Sequence, residues 1–247
     1  MEVDQRGVEP ELTGLRRLFR LFLRGAFRAF MRVGARLETE GIDRVPAEGP
    51  LVVTVNHLGY LDAFVLAATF PRQLDAVVAA ETLEIPIVRQ ILTWYGVVPV
   101  RRGQFDRQVL SRSLALLKQG RAVGISPEAG VSETAALRQA REGAAYLALQ
   151  AGARILPVAV TGTESIQGIW DSRKKRLALK GMEPFAFWRL RRPRLNIGLT
   201  YGSPFDVSAM GRTWREKRRA MREATDEIMR QIAILLPSRY QGIYQSE

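Results

Sequence analysis

The stretch LVVTVNHLGYLDAFVLAATF, residues 51–70, sets the expected fold class of this chain. Its β-branched start predicts a buried strand over 51–55, and LDAFVLAATF predicts a helix over 61–70. Three polar residues, Asn56, His57 and Asp62, lie between them, and His57 is the only histidine among 247 residues. The stretch therefore joins the first unit of an α/β fold to residues that are capable of acid–base chemistry.

The same alternation of strand and helix continues towards the C-terminus. Amphipathic runs predict helices over 85–96, 108–120, 136–152 and 212–236. Apolar runs predict further strands over 75–80, 97–100, 122–126, 154–162 and 195–202. Strands that alternate with helices of this length predict an α/β fold with a mostly parallel central sheet flanked by helices.

Residues 12–37, LTGLRRLFRLFLRGAFRAFMRVGARL, predict one helix, or two that meet near Gly25. A helical wheel divides it into an arginine side and an apolar side, although Leu18, Leu21 and Met31 break the division. We expect the helix to lie in a membrane interface with its arginines facing lipid phosphates. A helix that covers the core and exposes a basic face to water is the alternative. The two sides consist of Arg16, Arg20, Arg24, Arg28, Arg32 and Arg36, and of Leu15, Phe19, Phe22, Leu23, Phe30, Val33 and Leu37.

A turn-rich segment, GIDRVPAEGP at 41–50, follows this helix and marks a boundary. We expect an N-terminal amphipathic segment over 1–40 and a single larger domain over 41–247. The chain has no run of 18 apolar residues, so a spanning helix is not expected. The polar start MEVDQRGVEPE argues against a secretory signal.

The net charge of +12 predicts an anionic partner, which could be nucleic acid, acidic lipid or small phosphorylated molecules. The absence of cysteine excludes disulfides, thiolate metal sites and a cysteine nucleophile. With a single histidine as well, we expect no metal site. Composition alone thus leaves a basic nucleic-acid-binding protein and a lipid-associated protein as open alternatives.

His57 and Asp62 form a candidate acid–base pair. The chain must double back across four residues between the strand and the next helix, so the carboxylate can reach the imidazole. An aspartate that accepts from one ring nitrogen sets the tautomer and leaves the other nitrogen free to take a proton. No nucleophile lies beside the pair, so a substrate hydroxyl would supply it. The alternative is that Asp62 only begins its helix, where the helix dipole favours a carboxylate.

Two further loops after predicted strands carry polar residues. Arg101 and Arg102 offer guanidinium groups, and Gly103 lets a phosphate approach the backbone. Glu128, in the turn opened by Pro127, is either a turn carboxylate or an acceptor for a substrate hydroxyl. A base, a phosphate clamp and a hydroxyl acceptor together favour a polyol phosphate as the molecule that is deprotonated.

Four motifs in order resemble those of the glycerolipid acyltransferase family, the 1-acylglycerol-3-phosphate acyltransferases and their relatives. They are NHLGYLD at 56–62, VVPVRRG at 97–103, ISPEAGVS at 125–132 and ILPVAV at 155–160. The chain departs from the family at Ser126, which replaces an aromatic residue, and at Ala129, which replaces glycine. Val131 lies near a position where many members carry arginine, and no lysine occurs over 79–81. The catalytic pair is unaffected by these departures, whereas the acceptor site is altered.

The resemblance implies an O-acyltransferase that moves a fatty acyl group from an acyl thioester to a hydroxyl group. The thioester would be acyl-CoA or acyl-ACP as co-substrate, with no other cofactor and no metal. The acceptor would be a lysophospholipid or glycerophosphate-type molecule, or alternatively another lipid or polyol. His57 would be the general base and Asp62 its partner. Substrate contacts are expected from Asn56, Arg101, Arg102, Gly103, Glu128 and Gly130.

The resemblance also implies a place of action. We expect a cytoplasmic protein that is peripheral on the inner face of the cell membrane, bound to its anionic surface and to no nucleic acid. The remaining alternatives are a basic nucleic-acid-binding protein and a membrane scaffold without catalysis. The nucleic-acid alternative does not explain His57 and Asp62, whereas the scaffold is favoured if Ala129 deforms the loop of the third motif.

Overall fold

A computed structural model describes residues 14–59, 61–84, 86–101, 106–164, 170–171, 176–177, 195–207 and 214–245. The helices are α1 (Gly14–Gly34), α2 (Asp62–Thr69), α3 (Pro86–Tyr95), α4 (Arg107–Lys118), α5 (Gly143–Ala151), α6 (Trp214–Ile234) and α7 (Ser238–Gln241). The strands are β1 (Ala35–Glu40), β2 (Leu51–Val55), β3 (Leu74–Ala79), β4 (Val98–Val100), β5 (Ala122–Ile125), β6 (Arg154–Thr161), β7 (Trp170–Asp171), β8 (Arg176–Leu177) and β9 (Leu195–Tyr201).

The central sheet has the order β1-β9-β6-β2-β5-β3-β4 within the described residues. All of its neighbouring strands are parallel except β6 and β9, which are antiparallel. The predicted α/β class with a mostly parallel, helix-flanked sheet is therefore confirmed. Because β6, β2, β5, β3 and β4 run in one direction, their carboxyl ends meet at one edge of the sheet.

Both faces of the sheet are covered by apolar helix faces, which explains why β2 is a continuous apolar run. Val52 packs into a core with residues of α4, α5 and α6, whereas Leu51 and Val53 pack into a core with residues of α1 and α2. Successive residues of a strand point to opposite faces, so every position of β2 is buried, and its one polar side chain, Thr54, donates its hydroxyl to the carbonyl of Leu156.

The N-terminal region corrects the prediction in one respect. The helix ends at Gly34, and residues 35–40 form the edge strand β1, paired in parallel with β9. They therefore belong to the sheet rather than to the amphipathic segment in which we placed them. The alternating sequence ARLETE contains few apolar residues because an edge strand exposes much of its surface.

Three arginines in the middle of α1 donate hydrogen bonds to the body of the protein, contrary to our expectation that they face lipid phosphates. Arg20 is only 6% exposed, and its Nη2 donates to Asp75 Oδ1 at 2.9 Å. Arg24 and Arg28 both donate through Nε to the carbonyl of Ala68, at 3.1 and 2.6 Å. This carbonyl lies in the last turn of α2, where the helix dipole concentrates negative charge. These arginines attach α1 to the body of the protein.

Four apolar side chains in the first half of α1 face solvent. Leu15, Leu18, Leu21 and Phe22 are between 56% and 69% exposed, and their spacing places them on one face of the helix. Two of them, Leu18 and Leu21, are residues that broke the division on the helical wheel. Trp94 of α3 extends the apolar surface, since it packs against Phe19 of α1 with ring centroids 5.8 Å apart and remains partly exposed.

Two further predictions concern the start of a helix and the presence of a membrane span. The helix predicted over 136–152 begins only at Gly143. The residues before it, 128–142, form a loop, and the N–H of Leu137 in this loop donates to the carbonyl of Tyr240 near the C-terminus. Among the described residues, no helix is long and apolar enough to cross a membrane. Of the apolar side predicted for α1, the side chains of Phe30 and Val33 lie outside the described set.

Candidate active site

The predicted polar loops converge because their strands are parallel neighbours. His57 follows β2, Glu128 follows β5 and Thr163 follows β6, and β2 lies between the other two strands. In open α/β sheets, ligands bind outside the carboxyl ends of the strands. The site is therefore centred on the loop after β2, with the loops after β5 and β6 on either side.

The predicted pairing of His57 with Asp62 is present in the structure. His57 Nδ1 lies 2.9 Å from Asp62 Oδ2, which fits an N–H donated to the carboxylate. The imidazole side chain is 21% exposed, whereas the carboxylate is almost fully buried. Within the described part of the chain, Nε2 makes no hydrogen bond. The pair thus presents a free basic nitrogen at the surface of the site.

Asp62 is held by three further donors. Its Oδ2 accepts from the backbone N–H groups of Leu58 and Gly59, at 2.7 and 2.8 Å. Its Oδ1 accepts from the hydroxyl of Thr163 at 2.5 Å. Such hydrogen bonds stabilise the ionised form of a buried carboxylate. Asp62 is also the first residue of α2, so the alternative role at a helix start is fulfilled by the same side chain.

The backbone of His57 is fixed by the loop after β5. Its N–H donates to Glu128 Oε1 at 3.0 Å, and its carbonyl accepts from the N–H of Ser132 at 2.8 Å. The second oxygen of Glu128 accepts from the N–H of Arg138 at 3.0 Å. One carboxylate therefore joins the histidine loop to the loop after β5.

These contacts change the role expected of Glu128. Its side chain is buried, and burial raises the pKa of the carboxyl, an effect that the hydrogen bonds from the amides of His57 and Arg138 oppose. Both oxygens bind backbone N–H groups of the protein, so the described geometry gives Glu128 a bracing function. The sequence predicts two alternative roles for Glu128, a turn carboxylate and a contact with substrate, and these hydrogen bonds favour the first.

Asn56 was expected to contact substrate, but the structure places its amide elsewhere. Its Nδ2 donates to the carbonyl of Val160 at 2.9 Å, and its Oδ1 accepts from the N–H of the same residue at 2.7 Å. The side chain is buried between β2 and β6. It therefore fixes two strand ends whose backbone hydrogen bonding would otherwise be incomplete.

The expected phosphate-binding residues are only partly described. Arg101 follows β4 and is exposed, whereas Arg102 and Gly103 lie outside the described residues. Gly130 lies in the loop after β5, and its carbonyl accepts from Arg138 Nη2 at 2.8 Å. Sequence reasoning did not select Arg138, which brings a guanidinium to the loop that contains Val131. Arg138 is eight positions from Gly130 along the chain, and no sequence pattern indicates their contact.

Ala129 occupies a backbone conformation that glycine adopts more easily. Its φ is +53°, in the left-handed region, where a Cβ is crowded by the backbone. The family's glycine at this position has a physical reason, and the alanine of this chain retains the turn at a cost in strain.

The same carboxyl edge shows no metal cluster, since no three His, Asp or Glu side chains of the described residues lie close enough to share an ion.

The sequence also matches a known protein family. The model of the family described as Acyltransferase matches residues 36–161, which include the whole of β2 to β6 and both loops that hold His57. The chain belongs to the acyltransferase family.

Relatives of this acyltransferase carry more specific names. The chloroplastic 1-acyl-sn-glycerol-3-phosphate acyltransferase of Arabidopsis thaliana is 29% identical over 134 residues, 53% of this chain and 37% of that protein. The 1-acyl-sn-glycerol-3-phosphate acyltransferase of Borreliella burgdorferi is 25% identical over 134 residues, 53% of this chain and 54% of that protein. The match thus spans about half or less of the length of these relatives.

The fold of this acyltransferase is also found in a solved structure. The crystal structure of the 1-acyl-sn-glycerophosphate (LPA) acyltransferase PlsC from Thermotoga maritima superposes with a TM-score of 0.61. The comparison covers 88% of this chain and 80% of that one, at 17% sequence identity. At this identity the likeness shows a shared fold.

Proposed function

We propose that this protein transfers an acyl group from an acyl thioester to a hydroxyl of a lysophospholipid or glycerophosphate-type acceptor. The observation that carries the proposal is the 2.9 Å contact between His57 Nδ1 and Asp62 Oδ2, which leaves Nε2 without a hydrogen bond from the described residues. A neutral imidazole in this tautomer can accept a proton from a hydroxyl group. The names of the relatives support a glycerophosphate acceptor.

The reaction then proceeds in two steps. His57 Nε2 takes the proton of the acceptor hydroxyl while that oxygen attacks the thioester carbonyl, and the ionised Asp62 stabilises the imidazolium. The tetrahedral oxyanion collapses with cleavage of the carbon–sulfur bond, and the thiolate takes the proton back from Nε2. The products are an ester and a free thiol, and no acyl-enzyme forms. The donor would be acyl-CoA or acyl-ACP.

The acceptor phosphate requires cations near this pair. Arg101 is exposed at the carboxyl end of β4, and the net charge of +12 favours an anionic substrate over the whole surface. Arg102, the expected clamp, and Gly103 keep that role in this proposal. We add the exposed guanidinium of Arg138 to these cations. The Glu128 carboxylate accepts from the backbone N–H groups of both His57 and Arg138, so Arg138 lies close to the histidine loop.

The substrate class also suggests where the enzyme works. The exposed apolar face of α1, with Leu15, Leu18, Leu21 and Phe22, fits a helix that lies in the interface of a bilayer. The exposed Arg17 lies on the same helix and could approach anionic lipid headgroups. We propose a cytoplasmic enzyme that is peripheral on the inner face of the cell membrane, held by the apolar face of α1.

The test is an acylation assay with purified protein. Acyl-CoA and acyl-ACP are each offered with lysophosphatidate, glycerol 3-phosphate and a phosphate-free monoacylglycerol, and products are identified by mass spectrometry. We expect ester formation on a phosphorylated acceptor and a loss of at least about 100-fold in kcat for His57→Ala. Folding is checked by circular dichroism. Turnover by folded His57→Ala at the wild-type rate would exclude the general-base role.

A further inference from the structure

The loop after β6 contains a residue that the reaction scheme has not used. We propose that Thr163 is a positioning residue, whose hydroxyl holds the Asp62 carboxylate in the orientation that presents Oδ2 to His57 Nδ1. The inference rests on the proposed function, because it requires the His57–Asp62 pair to be the working base. Thr163 lies just beyond the residues that match the family, 36–161.

The two oxygens of Asp62 have different partners. Oδ2 accepts from His57 Nδ1 and from the N–H groups of Leu58 and Gly59, so three donors of one loop share it. Oδ1 accepts from Thr163 Oγ1. A carboxylate that is bound at one oxygen can still turn about its Cβ–Cγ bond, since this torsion has broad minima. The second anchor, from another strand, sets the plane of the group.

Thr163 is itself held rigidly, as an anchor must be. It is only 1% exposed, and a Cβ added to Gly59 would lie 3.2 Å from its carbonyl oxygen. The preceding Gly162 has a φ of +85°, and a Cβ there would lie 1.9 Å from the carbonyl oxygen of Asn196. The histidine loop therefore packs directly on Thr163, and the tight turn against β9 fixes where its hydroxyl points.

A buried threonine could also contribute only to folding, so the variants must separate the two roles. Thr163→Val removes the hydroxyl and keeps the shape, whereas Thr163→Ser keeps the hydroxyl. Thr225→Val is the matched control, because Thr225 is buried on α6 and donates only to Met221 of its own helix. Thr163→Ala provides a second hydroxyl-free variant that adds no methyl group, in case the valine prevents folding.

The first readout is steady-state kinetics with the donor and acceptor of the wild-type reaction. We expect Thr163→Val and Thr163→Ala to lower kcat about tenfold, with both KM values unchanged, since a hydrogen bond to a charged group is lost away from the substrates. Thr163→Ser should restore most of kcat, and Thr225→Val should not change it. Wild-type kcat in a folded hydroxyl-free variant, or an equal loss in the serine variant, would overturn the proposal.

The second readout does not depend on turnover. Because His57 is the only histidine, ¹⁵N labelling of histidine gives NMR signals from this ring alone. Loss of the Thr163 hydroxyl should shift the Nδ1 signal and broaden its proton, whereas Thr225→Val should leave both in place. Unchanged signals in Thr163→Val and Thr163→Ala would refute the positioning role. If His57→Ala retained activity, the proposed function would fail, yet these signals would still decide whether Thr163 orients Asp62.

Discussion

Two buried aspartates, Asp62 beside the candidate active site and Asp75 beneath α1, share a residue type and a degree of burial but not a role. They are 1% and 0% exposed. Asp62 accepts from backbone N–H groups, a hydroxyl and one titratable imidazole. Asp75 Oδ1 accepts from two permanent cations, Arg20 at 2.9 Å and Arg121 at 2.6 Å. The partners of a buried carboxylate therefore distinguish a group suited to proton transfer from one that holds two elements of the fold together.

The difference follows from the charge of the donors. Neutral donors satisfy the lone pairs of Asp62 and leave its negative charge to act on the one neighbour that can gain a proton, His57. The two groups that bind Asp75 are guanidiniums, which donate hydrogen bonds but do not accept a proton, so neither of these partners can act as a base. Its second oxygen accepts no hydrogen bond from the described residues. The ion pair therefore attaches α1 to β3 and β5 without serving catalysis.

The largest expected effect comes from Asp62→Asn. An amide in this place favours the wrong imidazole tautomer, so kcat should fall by about 10³-fold or more. Acylation of the preferred acceptor measures the loss, and the ¹⁵N signals of His57 should report the changed tautomer. Retention of both kcat and the histidine signals would mean that Asp62 is only the first residue of α2.

The same substitution at the other aspartate should give the opposite result. Asp75→Asn leaves Arg20 and Arg121 buried without a counter-charge, so the free energy of unfolding should fall by about 3 kcal/mol or more. Urea unfolding followed by circular dichroism measures the change. At a temperature where the variant is folded, its kcat should stay within about threefold of wild type.

Glu223→Gln is the matched control for this variant, since Glu223 pairs with Arg219 on an exposed surface of α6. Exposed pairs of this kind contribute little to stability. A stability of Asp75→Asn equal to that of Glu223→Gln would show that the contacts of Asp75 with Arg20 and Arg121 do not hold α1 in place. For the same reason, removal of residues 1–37 should destabilise the protein, and point substitutions are the better test of membrane binding.

The exposed face of α1 provides an intermediate effect. Leu18→Gln combined with Leu21→Gln should lower binding to anionic liposomes at least about tenfold, because two apolar side chains no longer enter the interface. Stability should not change, since both side chains are exposed in the free protein. Liposome flotation measures binding, and Ile234→Gln, at a 70% exposed position on α6, is the control.

The salt dependence of liposome binding tests the same prediction. If the apolar face carries most of the binding, 1 M salt should release only part of the protein, even though the screening length falls to about 3 Å. Complete release at high salt would restore the original expectation that arginines face the lipid. Equal flotation of the double variant and the wild type would place the membrane contact elsewhere.

The smallest effect is expected at Ala129. Ala129→Gly relieves the left-handed strain but increases the entropy of the unfolded chain, so the net gain in the free energy of unfolding should be about 0.5 kcal/mol. Ala26→Gly, at an exposed position inside α1, should lower it by about 1 kcal/mol. Thermal unfolding of both variants measures the contrast. A loss of stability at Ala129 similar to that at Ala26 would contradict the strained turn.

Much of the site was predictable because its parts are local. The pairing of His57 with Asp62 spans five residues, and the strand–loop–helix pattern around it requires the chain to double back. The strands themselves were predicted from apolar runs, and parallel strands bring their carboxyl ends together whatever the details of packing. Edge strand β1 was missed because its ARLETE sequence lacks an apolar run.

Periodicity and neighbours along the chain therefore predict the α/β class, the helix-flanked parallel sheet and the pairing of His57 with Asp62. The tertiary structure decided which face of α1 turns inward. Arginine can be buried when an acid and helix-end carbonyls receive it, and Arg20 meets Asp75 from 55 residues away. It also decided that Glu128 braces His57 across 71 residues and that Thr163 reaches Asp62 across 101. No local pattern records which distant donor will satisfy a buried carboxylate.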